Sequence, residues 1–193
     1  MDKIILTDCD GVLTNWELAF HMWMKERGCQ PIRNDIYEMA ERYGKSKEEM
    51  KDLIKFFNES ATIGFLPPLR DAMRYVKKLH EEHGYVFRVI TSLSLDPYAK
   101  RLRVSNLEKL FGTAIDDVVC LDTGADKVEA LEKYRDSYMY WIEDKPENAR
   151  VGQKMGLKSI LIEHEHNMNV MDVPLAKNWK EVYEMIVNGR IIW

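Results

Sequence analysis

The sequence predicts an α/β protein with a Rossmann-like, three-layer fold, in which helices cover both faces of a parallel sheet. Short β-branched runs alternate with helical patterns along most of the 193 residues, and this alternation is typical of parallel sheets. No convincing strand occurs between residues 16 and 66, a gap too long for an ordinary strand-to-helix connection. We therefore predict a helical cap at 16–66, inserted after the first strand of a core formed by 1–15 and 67–193.

The strands of the core are predicted from runs that are short, apolar and rich in β-branched residues. Because continuous apolar runs are typical of strands covered on both faces, these runs should lie inside the sheet. Five runs qualify: Ile4–Thr7, Val86–Thr91, Val118–Leu121, Met139–Ile142 and Ser159–Ile162.

The helices of the core are marked by capping residues or proline near their start and, in several cases, glycine past their end. These signals predict four helices: one after Pro67-Pro68 that stops near Gly84, one from Asp96-Pro97 to Gly112, one from Pro146 to about Gly156, and one from Asn178 or Trp179 to about Val187.

Within the predicted cap, the pattern is that of amphipathic helices. Helices are expected over Glu17–Arg27 and Asp35–Tyr43. Ser46 and Glu49 have the spacing of a capping box. The apolar residues behind them recur at i, i+3, i+4 and i+7, as in a helix with one buried face: Met50, Leu53, Ile54 and Phe57.

The charge and the cysteine content limit the classes of protein to which the chain can belong. The chain has 28 basic and 32 acidic residues, a net charge of −4, so it has no global electrostatic footprint for nucleic acid. Three cysteines without framework spacing predict a reducing, cytoplasmic location. Neither a secretory leader nor a membrane-spanning run is expected. The expected partner is a small phosphomonoester, and the oligomeric state is left open.

Polar side chains follow four of the predicted strands. In an open α/β sheet, ligands bind beyond the carboxyl ends of the strands, so these side chains should meet at one rim. Carboxylates, hydroxyls and an ammonium together are suited to moving a phosphoryl group with Mg²⁺. The residues are Asp8 and Asp10 after the first strand, Thr91 and Ser92 after the second, Lys127 after the third, and Glu143 and Asp144 after the fourth.

The roles of the acidic residues follow from their chemistry. Asp8 leaves its strand first and is the expected nucleophile, forming an aspartyl-phosphate. Asp10 is placed to protonate the leaving oxygen and then to activate water. The carboxylates of Asp8 and Asp144 and the backbone carbonyl of Asp10 are expected to bind Mg²⁺. Gly11 permits a sharp turn beside the substrate.

The remaining polar residues are expected to hold the phosphoryl group. Thr91 offers its hydroxyl and Ser92 its backbone N–H to the phosphoryl oxygens. Lys127 adds a positive charge near the start of a helix, where anions are already favoured. Positioning and electrostatics of this kind are how phosphoryl transfer is usually catalysed.

These motifs resemble those of the haloacid-dehalogenase-like (HAD) phosphatases over nearly the whole chain. The matching stretches are DCDGVLT, VITS, DKVEAL and WIEDKPEN. The resemblance implies Asp8 as nucleophile, Asp10 as acid/base, Thr91 and Lys127 on the phosphate, and Asp144 on Mg²⁺. Asn148 stands where many members carry a second acid, and Glu143 where relatives often have glycine or aspartate. Whether either contributes to the metal site is left open.

Within that superfamily, the stretches DCDGVLTNW and GFLPPLRDAMRYV resemble the 5′(3′)-deoxyribonucleotidase group. Trp16 occupies the position of the base-stacking aromatic residue of that group, and Phe65 lies near its second aromatic cluster. The resemblance implies a nucleoside monophosphate as substrate. The alternatives are a phosphosugar, another small metabolite or a nucleic-acid end, and a non-catalytic phosphate-binding module.

Several patterns also have purely structural interpretations. Trp16, Phe20, Phe57 and Phe65 suit the core of the cap as well as a substrate site. The EHEH stretch at 163–166 lacks a second ligand cluster for zinc. The KRLR stretch at 100–103 is expected to form a charged outer face of its helix rather than a nucleic-acid contact. Cys9 should be buried behind the sheet.

Overall fold

The computed structural model describes residues 3–33, 36 and 38–189. Its centre is a sheet of six parallel strands: β1 (Lys3–Thr7), β2 (Tyr85–Ser92), β3 (Ile115–Leu121), β4 (Tyr140–Glu143), β5 (Lys158–Ile162) and β6 (Leu175–Ala176). Their order across the sheet is β3-β2-β1-β4-β5-β6. All five predicted strands are confirmed, while the two-residue β6 is too short to leave a periodic pattern.

Eight α-helices occur in the described ranges, and the core helices form a layer on each face of the sheet. The core helices are α4 (Ala72–His83), α5 (Pro97–Phe111), α6 (Val128–Glu132), α7 (Pro146–Lys154) and α8 (Trp179–Asn188). Because successive strand residues point to opposite faces, Ile5 packs in the layer of α4, α5 and α8, and Leu6 in that of α6 and α7. The predicted three-layer fold is confirmed.

Residues 16–66 contribute no strand in their described part. They form α1 (Trp16–Glu26), α2 (Met39–Arg42), α3 (Lys47–Asn58) and a 3₁₀ turn at Ala61–Phe65. Residues 34, 35 and 37 of the helix predicted over Asp35–Tyr43 lie outside the described residues, and the observed helix α2 is shorter than predicted.

The cap helices pack around an aromatic cluster. Phe20 and Phe57 are fully buried there, which confirms their structural interpretation, and their rings meet edge to face. The capping box is also confirmed, because Ser46 Oγ accepts the Glu49 amide at 3.1 Å and the Glu49 carboxylate accepts the Ser46 amide at 2.9 Å.

The two connections between core and cap run side by side. The Asn15 amide donates to the Pro67 carbonyl at 2.8 Å, and the Leu69 amide donates to the Leu13 carbonyl at 2.9 Å. The chain therefore leaves and re-enters the core next to the loop that follows β1. The division into 1–15 with 67–193 and 16–66 stays a prediction. In the described ranges, no helix is both long and apolar enough to cross a bilayer.

Candidate active site

The loops after β1 and β3 and the last residue of β4 bring three charged side chains into direct contact. Lys127 Nζ lies 2.6 Å from Asp8 Oδ2 and 2.7 Å from Glu143 Oε1, and all three side chains are almost fully buried. Burial alone would lower the pKa of Lys127, but the two carboxylates raise it above its ordinary value. The ammonium therefore stays charged beside Asp8, with a third N–H available to a ligand.

Glu143 is the anchor of this group. Its Oε1 accepts from Lys127 Nζ and, at 2.8 Å, from the Asn148 side-chain amide. Its Oε2 accepts the backbone amides of Asp144 and Lys145, each at 2.7 Å. Burial opposes ionisation, yet Lys127 and these donors keep the pKa of Glu143 below its usual value. With both oxygens occupied, Glu143 supports Lys127, and Asn148 supports Glu143.

Asp8 and Asp144 are the carboxylates of this group with acceptor capacity left for a cation, since Asp8 Oδ2 is paired with Lys127 and Asp8 Oδ1 accepts only the Cys9 amide, at 2.7 Å. Asp8, Glu143 and Asp144 each place an oxygen within 4.8 Å of the others. Asp144 Oδ1 is buried and has no hydrogen-bond partner within the described part of the chain. Burial, reinforced by neighbouring carboxylates, raises the pKa of Asp8 to about 6 and that of Asp144 well above its ordinary value. This acid-rich donor set fits a hard divalent cation.

The turn after β1 needs glycine for two reasons. Gly11 has a φ of 75°, in the left-handed region that favours glycine. A Cβ at this position would lie 2.5 Å from Asp144 Oδ2. The absence of a side chain thus lets the β1 loop lie against the Asp144 carboxylate.

Asp10 is paired with Arg103, which the KRLR prediction placed on an outer face. That prediction is wrong for Arg103, which is fully buried. Its guanidinium contacts both carboxylate oxygens of Asp10, at 2.6 and 2.9 Å. The sequence does contain a signal for this burial, because Arg103 falls at helical spacing with the residues of the buried face of α5. That face is formed by Ala99, Arg103, Asn106, Leu107 and Phe111.

The end of β2 supplies a hydroxyl without a partner. Thr91 is 1% exposed, and its Oγ1 accepts and donates no hydrogen bond among the described residues. Ser92 lies beside it, and its own hydroxyl donates to the Ala125 carbonyl at 2.6 Å. Both residues line the same cavity as Asp8 and Lys127. A buried hydroxyl left unsatisfied is costly, so its presence here points to a ligand.

The cavity has a volume of about 880 Å³ and lies between the strand ends and the cap. Trp16 lines it, with its ring stacked on Phe20 at 4.7 Å and its Nε1 donating to Asn58 Oδ1 at 2.9 Å. Phe65 is not among the lining residues and is 74% exposed, with Lys109 over its ring. The structure therefore brings Trp16 to the site and leaves Phe65 outside it. The apolar and amide groups of the cap wall are Trp16, Met39, Met50, Ile54 and Asn58.

Two histidines of the EHEH stretch also line the cavity, a position that the sequence pattern did not predict. His164 Nε2 meets the Gly11 carbonyl at 2.6 Å, and His166 Nε2 meets the Asp144 carbonyl at 3.1 Å. Burial lowers the pKa of both rings, which favours neutral imidazoles. Each ring contacts one of the two loops that carry acidic site residues, the loop after β1 or the loop after β4. In the described ranges, no converging group of potential metal ligands includes a histidine, so nothing there supports the zinc interpretation.

Comparison with known proteins gives a family and a fold. Residues 2–192 match the model of a family described as 5′ nucleotidase, deoxy (pyrimidine), cytosolic type C protein. A protein of Enterobacteria phage T4, named as an uncharacterized 32.4 kDa protein in the Gp30-rIII intergenic region, is 28% identical over 145 residues. That match covers 72% of this chain and 51% of the phage protein, so the chain spans about half the length of this relative.

Solved structures with low sequence identity share the fold. A haloacid dehalogenase-like family hydrolase from Streptococcus pneumoniae superposes with a TM-score of 0.68 at 14% identity, covering 95% of this chain and 98% of the other. CbbY from Rhodobacter sphaeroides, solved with phosphate, has a TM-score of 0.58 at 16% identity, covering 94% and 96%. At these identities the likeness shows the fold alone, and that fold is the one the sequence predicts.

Proposed function

The chain belongs to the 5′ nucleotidase, deoxy (pyrimidine), cytosolic type C protein family, and we propose that it is a Mg²⁺-dependent phosphoric monoester hydrolase acting on a nucleoside monophosphate. The observation that carries this proposal is a pair of buried polar atoms in one cavity that have no hydrogen-bond partner among the described residues. Thr91 Oγ1 is a hydrogen-bond donor for a phosphoryl oxygen, and Asp144 Oδ1 is a ligand for a cation.

The proposed reaction has two steps. An Asp8 carboxylate oxygen attacks phosphorus, the bond from phosphorus to the leaving oxygen breaks, and Asp10 gives that oxygen its proton. Water then attacks the aspartyl-phosphate and passes a proton back to Asp10, which releases inorganic phosphate and restores both aspartates. Lys127 and Thr91 neutralise and orient the phosphoryl oxygens in both steps, and the Ser92 backbone amide is proposed to assist them.

The metal site is proposed from the donors that remain available. The carboxylates of Asp8 and Asp144 and the backbone carbonyl of Asp10 would hold Mg²⁺, whose charge would draw electron density from the phosphoryl group and offset the crowded carboxylates. Glu143 and Asn148 would serve this site indirectly by fixing Lys127.

The cap is proposed to select the nucleoside. Trp16 presents an aromatic ring to the cavity, and stacking of a base on an aromatic ring is sequence-tolerant and worth about 1–3 kcal/mol. A cap at 16–66 would also exclude water from the aspartyl-phosphate step. Phe65 has no place in this proposal, because it lies outside the cavity.

The experiment is phosphate release from a panel of substrates, with Mg²⁺ and with EDTA, beside Asp8→Asn. The panel contains nucleoside 5′- and 3′-monophosphates, phosphosugars and a generic aryl phosphate. Metal-dependent release that favours deoxynucleotides and is lost in the variant supports the whole proposal. Release from phosphosugars alone would keep the hydrolase and overturn the nucleotidase. Binding of Mg²⁺ with no turnover of any substrate would favour a binding module.

A further inference from the structure

The guanidinium of Arg103 lies behind Asp10, on the side away from the cavity. Arg103 is fully buried, whereas the Asp10 side chain is 22% exposed and lines the cavity. Nη1 of Arg103 also contacts Cys9 Sγ at 2.8 Å and Thr14 Oγ1 at 3.3 Å. A charged side chain is rarely buried so completely unless it is paired, and in the described ranges Asp10 is its one acidic partner.

The two oxygens of Asp10 are held unequally. Oδ1 accepts from Arg103 Nη1 at 2.6 Å and from Thr14 Oγ1 at 3.1 Å. Oδ2 accepts from Arg103 Nη2 at 2.9 Å and from no second donor in the described part of the chain. Oδ1 is therefore the anchored oxygen, and Oδ2 is the one that retains a free lone pair.

We propose that Arg103 is a positioning residue, which fixes the Asp10 carboxyl group through Oδ1 so that Oδ2 exchanges the proton with the leaving group. This inference rests on the proposed hydrolase activity. In the described part of the chain, the hydrogen bonds and the ion pair of Arg103 are with Asp10, Cys9 and Thr14, none of which offers a side chain to the proposed metal site. A bidentate guanidinium sets both the distance and the plane of a carboxylate, which a single ammonium cannot do.

The step that Arg103 supports is proton donation. When the bond from phosphorus to the leaving oxygen breaks, its electron pair stays on that oxygen and the proton on Asp10 Oδ2 moves to it. Asp10 becomes a carboxylate that Arg103 and Thr14 stabilise. Alkoxide leaving groups such as the sugar oxygen of a nucleotide need this proton, whereas p-nitrophenolate is stable without it.

The test compares leaving groups in Arg103→Lys, Asp10→Asn and the matched control Arg101→Lys. Arg101 is exposed on the same helix, and its guanidinium lies over Tyr98. We measure kcat/KM with a nucleoside monophosphate and with p-nitrophenyl phosphate, because kcat/KM covers the steps up to departure of the leaving group. Arg103→Lys should lower kcat/KM for the nucleotide by at least about 10-fold. This is a fraction of the roughly 10²–10⁴-fold that general acid catalysis contributes in full, because Asp10 is still present in the variant.

For p-nitrophenyl phosphate, the expected loss in Arg103→Lys is below about 3-fold, and the same selectivity, larger in size, is expected of Asp10→Asn. Arg101→Lys should match the wild type on both substrates. Equal losses on both substrates in Arg103→Lys would overturn the inference, since a merely structural role does not distinguish leaving groups.

Two controls keep the outcomes separable. If thermal unfolding shows that Arg103→Lys does not fold, the same comparison is made with Thr14→Val, which removes the second donor to Asp10 Oδ1. A loss of kcat/KM confined to the nucleotide supports the inference, and equal losses on both substrates overturn it. If the wild type hydrolyses neither substrate, the proposed function itself fails, and this is seen before any variant is compared.

Discussion

The side-chain amide of Asn148 donates to Glu143 Oε1 at 2.8 Å, at a position where many HAD-like phosphatases carry a second acid. The bond satisfies a fully buried carboxylate that also holds Lys127 against Asp8. The amide thus stabilises the charge of Glu143 without adding a negative charge of its own. Asp8, Lys127, Glu143 and Asn148 are thus linked by consecutive polar contacts.

The hydrogen bond from Asn148 to Glu143 predicts that Asn148→Asp is harmful, even though many relatives carry an acid at this position. A carboxylate beside the buried Glu143 would repel it, and the donor would be lost. We expect the free energy of unfolding to fall by about 2–4 kcal/mol, since removing a donor from a buried charge is costly. Urea unfolding at neutral pH measures it. Tighter Mg²⁺ binding with unchanged stability would instead identify residue 148 as a metal position.

Gly11→Ala should weaken cation binding at Asp144. The new Cβ would lie 2.5 Å from Asp144 Oδ2, so the carboxylate must move. The matched control is Gly28→Ala, because Gly28 has a φ of 74° and a Cβ added there would meet nothing within 4 Å. Both variants carry the backbone strain of about 1–2 kcal/mol. Calorimetric titration with Mg²⁺ should show an affinity loss in Gly11→Ala alone, and equal affinities would contradict the account.

The raised pKa of Asp8 predicts how stability depends on pH in the absence of metal. Between about pH 4 and 6 the folded state retains a proton that the unfolded state has lost, so its stability decreases as pH rises through that window. The shift of the Asp8 pKa limits this loss in the free energy of unfolding to about 3 kcal/mol. Thermal unfolding at about pH 4.5, 5.5 and 6.5 in EDTA checks the sign, and Asp8→Asn should reduce the dependence. Because the proposed Mg²⁺ site uses ionised Asp8, added Mg²⁺ should raise Tm more above about pH 6 than below it.

The two aromatic residues of the nucleotidase resemblance should behave differently. Trp16 lines the cavity, so Trp16→Ala should raise KM for a nucleoside monophosphate by about 5- to 150-fold, the equivalent of one stacked base. Phe65→Ala removes an exposed ring outside the cavity and should leave KM unchanged. Steady-state kinetics on the two variants measure this, with their Tm recorded because Trp16 also packs on Phe20. The reverse pattern would move the base site to the outer face.

The strands and the residues at their ends were predictable because local rules determine them. Apolar runs define β1 to β5, and parallel order brings the carboxyl ends together, so Thr91 and the loops that carry Asp8, Lys127 and Asp144 share one edge of the sheet. The same logic cannot find Arg103. A basic residue in a basic run on a helix is usually solvated, and its burial depends on the countercharge of Asp10, 93 residues earlier.

Other features required three-dimensional information. The EHEH pattern suggests only a zinc role for His164 and His166, yet each uses Nε2 to contact a backbone carbonyl of another loop. Sequence spacing does not encode such contacts. The role of Asn148 depends on where Glu143 points. Phe65 is an aromatic residue of the type that binds bases, but it ends the 3₁₀ turn at Ala61–Phe65 with its side chain exposed to solvent.

The most direct measurement of the central claim is to trap the intermediate. The protein is mixed with Mg²⁺ and a nucleoside monophosphate labelled in its phosphate, quenched in acid within the first turnover, and mapped by peptide mass spectrometry. The account predicts label on the peptide that contains Asp8, and none in Asp8→Asn. Phosphate release without label on Asp8, together with wild-type turnover by Asp8→Asn, would contradict it.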